Sequence, residues 1–114
     1  MLPRLNRLTG VKNFKAVEEN GEIFQSQNFG IAYIKRGDKN PSRFAFVVST
    51  KLSKEAVERN RVKRIMREAI RQSLFETIKG YDVVFLAKLS IMRTPTDVVA
   101  KEVKKSLRDA KLAN

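Results

Sequence analysis

The chain contains no cysteine and no histidine. Without cysteine it cannot form a disulfide framework, a thiolate nucleophile or a cysteine-based zinc site. Without histidine it lacks the commonest general base and the commonest metal ligand of proteins. Its carboxylates are scattered among basic residues and form no cluster of the kind that holds two catalytic metal ions. These absences argue against an enzyme whose active site is built from this chain alone.

Long apolar runs are also missing. No stretch approaches the roughly 20 apolar residues that span a bilayer, and the N-terminus lacks the apolar core of a secretion signal. The sequence therefore predicts a cytoplasmic protein with no membrane partner, and no motif in it indicates a small-molecule substrate.

Positive charge is abundant, because 24 Lys and Arg oppose 12 Asp and Glu and give a net charge of +12. Such an excess repels itself unless an anionic partner neutralises it, which predicts a polyanionic partner. With 114 residues, 42% of them hydrophobic, the chain is long enough for one folded domain and too apolar for a disordered one. We therefore expect a single domain over 1–114 that binds a polyanion.

The apolar pattern predicts an α+β sandwich with the element order α-β-β-β-α-β-α and helices packed on a four-stranded sheet. A basic arm over 1–8 precedes three helices, which are expected at about 10–19, at 54–79 and from Thr94 onward. Thr9 and Thr94 are the predicted N-caps of the first and last helices. Four strands are predicted at 22–26, 29–34, 43–49 and 81–87. The continuous apolar run in the third of these strands predicts a central position in the sheet.

The middle of the long helix concentrates basic residues, with six of them and two acidic residues in 58–71. On a helix, five polar side chains fall within about 100° of one another and opposite an apolar stripe: Asn60, Lys63, Arg64, Arg67 and Arg71. Guanidinium groups bind phosphates through paired hydrogen bonds, and an asparagine amide can bind a base edge or a sugar hydroxyl. Solvated helix faces usually interleave Glu with Lys, whereas arginine dominates here. The pattern favours binding to folded nucleic acid.

A ten-residue run in this helix resembles the Arg-Asn-Arg signature of the protein subunit of bacterial ribonuclease P. The run is Arg59-Asn60-Arg61-Val62-Lys63-Arg64-Ile65-Met66-Arg67-Glu68. Other landmarks of that family follow in the same order over nearly the whole chain: 2–3, 6–9, Phe14, Val17, Gly21, 43–48, Lys51 and 80–88.

The resemblance implies a subunit of a ribonucleoprotein that removes the 5′ leader from precursor tRNA. It implies that the RNA subunit holds most of the active site and its Mg²⁺ ions, so that the protein alone is inactive. It also implies a left-handed crossover from the third strand through the long helix to the fourth strand, although general chain-handedness rules favour the opposite hand. Composition alone leaves an alternative open, namely a structural RNA-binding protein of the ribosomal type with no processing role.

Residue roles follow from the same resemblance. Seven side chains of the long helix would contact the RNA subunit: Arg59, Asn60, Arg61, Lys63, Arg64, Arg67 and Arg71. Phe14, Tyr33 and Lys51 would border a cleft for the single-stranded leader, although both aromatic residues also fit a core role, since strand and helix spacing do not say which face is wet. Glu18 stands where many members have a second cleft aromatic, and Ala32 falls where some carry a tyrosine. These two departures predict weaker stacking on the leader.

Overall fold

Three α-helices and four β-strands follow one another along residues 2–114, the part of the chain that the computed structural model describes. The helices are α1 (Val11–Asn20), α2 (Ala56–Ser73) and α3 (Thr96–Asp109). The strands are β1 (Glu22–Gln25), β2 (Phe29–Lys35), β3 (Arg43–Val47) and β4 (Tyr81–Ala87). The predicted α+β class and element order are confirmed.

The sheet is mixed and has the strand order β1-β2-β4-β3. β2 runs antiparallel to both β1 and β4, whereas β3 and β4 are parallel and are connected through α2. β4 is therefore central and β3 is an edge strand, so the expectation of a central third strand is wrong. Its continuous apolar run has another cause, because Phe44 packs under α2 and α3 while Ala45 packs under α1.

Helices cover both faces of the sheet. α2 and α3 cover the larger core, which includes Phe29 and Phe85. α1 covers a smaller cluster on the opposite face, made of Leu8, Val17, Ala32, Ala45 and Val84. Side chains alternate along β2, so that Tyr33 packs against the larger core and Ile34 against the smaller one.

The basic arm is docked onto the free edge of β3. Leu2 and Leu8 are buried, and the backbone N–H of Leu8 donates to the carbonyl of Phe44 at 3.0 Å. The side-chain amide of Asn6 donates to the carbonyl of Ser42 at 2.9 Å. The arm thus pairs the first part of an edge that would otherwise be open to other strands.

α2 is shorter than the predicted range 54–79. It begins at Ala56 and passes after Ser73 into a 3₁₀ turn, Leu74–Glu76. The chain then leaves the helical path because Thr77 forms a bridge with Ala113 near the C-terminus.

Both predicted helix caps are wrong. Gly10 occupies the N-cap position of α1 with φ of 92°, a left-handed conformation that suits glycine, and Thr9 lies one residue before it. Pro95 occupies the N-cap position of α3, and the hydroxyl of Thr94 instead donates to the carbonyl of Ser90 at 2.8 Å.

Candidate RNA-binding surface

α2 has one buried face and one basic face. The buried side chains repeat at helical spacing: Val62, Met66, Ala69, Ile70 and Ser73. Four of the predicted RNA-contacting residues are exposed on the other side: Asn60, Arg61, Arg64 and Arg71. The sheet contacts orient the helix so that this basic side faces outward.

The remaining three predicted residues are half-buried and lie at the borders of that face. Arg59 donates from Nη1 to the carbonyl of Ser53 at 2.8 Å, which ties the start of α2 to the turn before it. Lys63 and Arg67 lie on the border next to the N-terminal arm and β3, where they line a groove.

This groove, with a volume of about 400 Å³, lies where the arm, α1, β3 and α2 meet. We call it the edge groove. Its lining combines cations, aromatic rings and small apolar residues: Leu2, Arg7, Leu8, Phe14, Phe44, Ala45, Phe46, Lys63 and Arg67. Among these described residues three are cationic and none is acidic. Such a surface can hold a polyanionic strand by charge and by ring contacts.

Arg71 differs from the other predicted contacts. Its guanidinium forms a two-point ion pair with Glu68, three residues earlier on α2, in which Nε lies 2.9 Å from Oε2. The hydrogen bond from Arg71 lowers the pKa of Glu68 to about 2, and the carboxylate raises the pKa of Arg71 in return. Arg71 therefore presents a partly neutralised charge to any phosphate.

The three predicted leader contacts are not brought together. Phe14 is half-buried on α1 and lines the edge groove. Tyr33 packs on the opposite face of the sheet, beside Tyr81, with ring centroids 6.3 Å apart. Lys51 is exposed in the turn after β3, where its backbone N–H donates to Ser49 Oγ at 3.1 Å. Ala32 lies on the α1 face, in the smaller core cluster that Phe14 packs against.

Two residues that line the edge groove were not predicted from the sequence. Arg7 was assigned only to the arm, but its Nε donates to the carbonyl of Leu2 at 2.8 Å and its side chain lines the groove. Phe46 follows the alternation of β3, yet only the edge position of that strand brings it to the surface. For Arg7, the only indication in the sequence was that it belongs to the basic N-terminal arm.

A buried carboxylate away from this surface has two arginine partners. Asp82 is buried and accepts hydrogen bonds from Arg36 at 2.7 Å and from Arg43 at 2.8 Å, which joins β4 to the turn before β3 and to β3 itself.

Within residues 2–114, no group of three or more acidic side chains could hold a metal ion. No helix in the same range is long and apolar enough to cross a membrane.

An α+β domain with a basic helix face and a basic, aromatic groove beside it has the features expected of a nucleic-acid-binding protein. Comparison with known proteins identifies the family to which the chain belongs. The family model described as Ribonuclease P matches residues 2–111. The chain is 34% identical to the ribonuclease P protein component of Rippkaea orientalis, covering 97% of this chain and 91% of the relative. It is 36% identical to that of Clostridioides difficile, covering 91% and 90%.

Solved structures agree. The RNase P protein from Thermotoga maritima superposes with a TM-score of 0.82 and 26% identity, covering 90% of this chain and 96% of that one. The protein from Staphylococcus aureus shares the fold with a TM-score of 0.87 at 22% identity, covering 96% and 98%. The chain belongs to the ribonuclease P protein family, and it is a subunit of the endoribonuclease that processes tRNA 5′ ends. The resemblance is confirmed, and the ribosomal-type alternative is set aside.

Proposed function

We propose that this subunit binds the catalytic RNA through the basic face of α2 and guides the 5′ leader of precursor tRNA along the edge groove. The RNA subunit holds the Mg²⁺ ions and carries out the cleavage, in the cytoplasm where precursor tRNA is made. The observation that carries the proposal is the continuity of positive charge from the outer face of α2 into a groove whose lining, among residues 2–114, includes no acidic side chain.

Contact with the RNA subunit rests on the exposed part of the α2 face. Asn60, Arg61 and Arg64 are exposed and lie opposite the buried stripe of the helix. Guanidinium groups bind phosphates through two parallel hydrogen bonds, and such contacts release counterions and give a salt-dependent affinity. Arg71 contributes less in this proposal because Glu68 already occupies its guanidinium.

Leader binding rests on the edge groove. Arg7, Lys63 and Arg67 supply charge for phosphates, and Phe14 supplies a ring for a base. Lys51 follows β3 and is exposed, so that it can meet the strand beyond the groove. Tyr33 lies on the other face of the sheet, and leader binding is therefore assigned to Phe14 and Lys51.

The assignment of the Mg²⁺ ions to the RNA subunit follows from the metal ligands that the protein chain has. Mg²⁺ prefers oxygen ligands and commonly binds through carboxylates and phosphates. This chain has no histidine or cysteine, and the acidic side chains within its described part are scattered or paired with arginine. Phosphates of the RNA subunit are the remaining oxygen donors for the ion that activates water. Cleavage of precursor tRNA by RNA-free protein in Mg²⁺ would contradict this assignment.

The first experiment tests the α2 face. Arg61→Ala combined with Arg64→Ala should weaken binding to the RNA subunit and lower the salt dependence of the association constant by about two units of slope, roughly one per lost phosphate contact. Lys101→Ala combined with Lys105→Ala on the outside of α3 is the matched control, because it removes the same charge elsewhere. Equal effects from both pairs, with both proteins folded by circular dichroism, would reject α2 as the RNA surface.

The second experiment tests the edge groove. Phe14→Ala should weaken binding of a precursor tRNA with a leader of several nucleotides by about tenfold, since stacking on one base contributes ~1 to 3 kcal/mol. Binding of mature tRNA to the same holoenzyme should not change.

Glu18→Phe supplies the opposite change, one helical turn along α1, where the exposed carboxylate repels phosphates. It should tighten precursor binding and leave mature tRNA unaffected. If neither variant separates precursor from mature tRNA, the leader does not follow the edge groove.

A further inference from the structure

A second groove, of about 490 Å³, lies at the end of the sheet where β2 ends and β1 and β4 begin, away from the edge groove. It runs between the end of α1, the ends of β1 and β2, and the segment that follows α3, and we call it the tyrosine groove. Tyr33 and Tyr81 form its aromatic part, half-buried and tilted by 59° with ring centroids 6.3 Å apart. Grooves of roughly 300 to 1,000 Å³ are the usual size of ligand sites.

Two lysines stand at the tyrosine groove. Lys35 lies two residues after Tyr33 on the same face of β2 and pairs in register with Tyr81. Lys111 lines the groove from the other side, just after the end of α3. Two aromatic rings between two cations provide base-stacking surfaces and phosphate contacts.

The backbone of Lys111 has a conformation that favours glycine. Its φ is 62°, and it is the one non-glycine residue with positive φ in the described chain. The N–H of Lys111 donates to the carbonyl of Arg108 at 3.0 Å and that of Leu112 to Leu107 at 2.8 Å, which is the hydrogen-bonding pattern that ends many helices with glycine at this position. Glycine fits there without steric strain, so the lysine side chain occupies the groove at a cost in stability.

Glu22 is the acidic residue in the tyrosine groove, and it pairs in register with Tyr33. Burial of the Tyr33 ring, together with the neighbouring carboxylate of Glu22, raises the pKa of that tyrosine, which stays neutral at physiological pH. A carboxylate at the end of a stacking surface repels a phosphate but can accept a hydrogen bond from the amino group of a nucleobase. The groove therefore combines groups that can contact a base with groups that can contact a phosphate.

We propose that the tyrosine groove is a second RNA site, which binds an unpaired, single-stranded segment of the RNA subunit by stacking on Tyr33 and Tyr81 and by phosphate contacts to Lys35 and Lys111. The inference rests on the proposed function, since it needs an RNA subunit bound through α2. An RNA that meets α2 and also reaches this groove contacts two surfaces of the same domain, which increases affinity through effective concentration.

The test uses the reconstituted holoenzyme and takes advantage of the absence of native cysteine. Asn20→Cys carries an iron–EDTA group at the rim of the tyrosine groove, Gln72→Cys carries it on α2, and Lys101→Cys carries it on the outside of α3. We expect strand cleavage of an unpaired RNA segment from position 20, cleavage near the RNA core from position 72, and little from position 101.

The outcomes separate the two proposals. Cleavage from position 72 without cleavage from position 20, or equal cleavage from positions 20 and 101, overturns the tyrosine groove and leaves the α2 proposal standing. Absence of cleavage from both 72 and 20 overturns both proposals. Cleavage from position 20 that is confined to paired RNA overturns the single-stranded assignment.

Binding measurements give a second readout. Tyr33→Leu combined with Tyr81→Leu should weaken binding to the RNA subunit about tenfold, whereas the corresponding pair of Phe substitutions keeps the rings and should bind like the native chain. Lys111→Gly should raise the melting temperature and yet weaken RNA binding about threefold, because it relieves backbone strain and removes a cation. Unchanged RNA affinity in both the Leu pair and Lys111→Gly overturns the proposal.

Discussion

α2 and α3 lie side by side over the same core, and they use their charges differently. α2 has six basic and two acidic side chains, whereas α3 has four and three. On α3, Glu102 accepts hydrogen bonds from the backbone N–H of Asn28 at 2.9 Å and from its side-chain amide at 2.6 Å. That carboxylate holds the turn between β1 and β2. On α2, the exposed Glu68 pairs only with its neighbours on the helix.

The comparison shows that positive charge is divided unevenly between the two helices, with a net charge of +4 on α2 and +1 on α3. Both helices bury an apolar stripe, so amphipathicity does not distinguish them. α3 has nearly as many acidic as basic side chains, and one of the acidic ones, Glu102, is part of the fold. α2 has only two acidic side chains against six basic ones, so the proposed RNA surface differs from α3 in its net charge.

Charge reversal should give the largest difference between the two helices in their effect on RNA binding. Arg61→Glu on α2 should weaken binding to the RNA subunit by about a hundredfold at moderate salt, because it removes a phosphate contact and adds repulsion. Lys105→Glu, an equal change on the exposed side of α3, should weaken binding less than threefold. Titrations at several salt concentrations measure both, and similar losses from the two variants would refute the assignment of the RNA surface to α2.

Removal of a carboxylate should lower the stability of the fold on α3 but not on α2. Glu102→Ala should lower the free energy of unfolding by about 2 kcal/mol, since it leaves the buried amide of Asn28 without its acceptor. Glu68→Ala should have almost no effect, because exposed ion pairs contribute little. Urea unfolding measures both differences, and equal stability of the two variants would show that Glu102 has no special structural role.

The buried serines of the two helices form a smaller matched pair. Ser73 Oγ on α2 is buried and has no hydrogen-bond partner among the described residues, whereas Ser106 Oγ on α3 lies 3.3 Å from Ser26 Oγ. Ser73→Ala should raise the free energy of unfolding by about 1 kcal/mol, and Ser106→Ala should lower it by about 0.5 kcal/mol. Thermal unfolding can measure the sign of each change, and the same sign for both would contradict this accounting of hydrogen bonds.

The smallest expected effect concerns pH. Because Arg71 lowers the pKa of Glu68 from 4.5 to about 2 in the folded chain, the pair stabilises the fold above about pH 4.5, and this contribution is lost as the pH falls through 2. The pair is exposed, so the effect on stability is small. An NMR titration of the Glu68 carboxyl carbon should have its midpoint near 2, and Arg71→Ala should move it back toward 4.5. A native midpoint near 4.5 would show that the pair does not form in solution.

Sequence reasoning was most successful where structure depends on near neighbours. The basic and apolar sides of α2 follow from a repeat of 3.6 residues, so Val62 and Arg64 could be assigned to opposite sides without knowledge of any other element. The boundaries were less accurate, because Thr77 leaves the helical path to pair with Ala113, 36 residues away.

The candidate site was only partly predictable. Phe14 was expected at a cleft and lines one, but the edge groove also needs Arg7 and Phe46, which come from segments far apart in the chain. Alternation along β2 indicated that Tyr33 and Ala32 face opposite sides, yet it could not say which side carries α1. The packing of α1 on the Ala32 side sends Tyr33 to the tyrosine groove.

By itself, the sequence determined the α+β class, the order of the elements, the basic face of α2 and the family, because each depends on local periodicity, composition or a contiguous motif. Only the tertiary structure decided that β3 lies at the edge of the sheet, that the N-terminal arm covers the start of that edge, and that two separate grooves flank the sheet. Strand order and helix placement depend on contacts between residues far apart in the chain, and such contacts leave no periodic trace in the sequence.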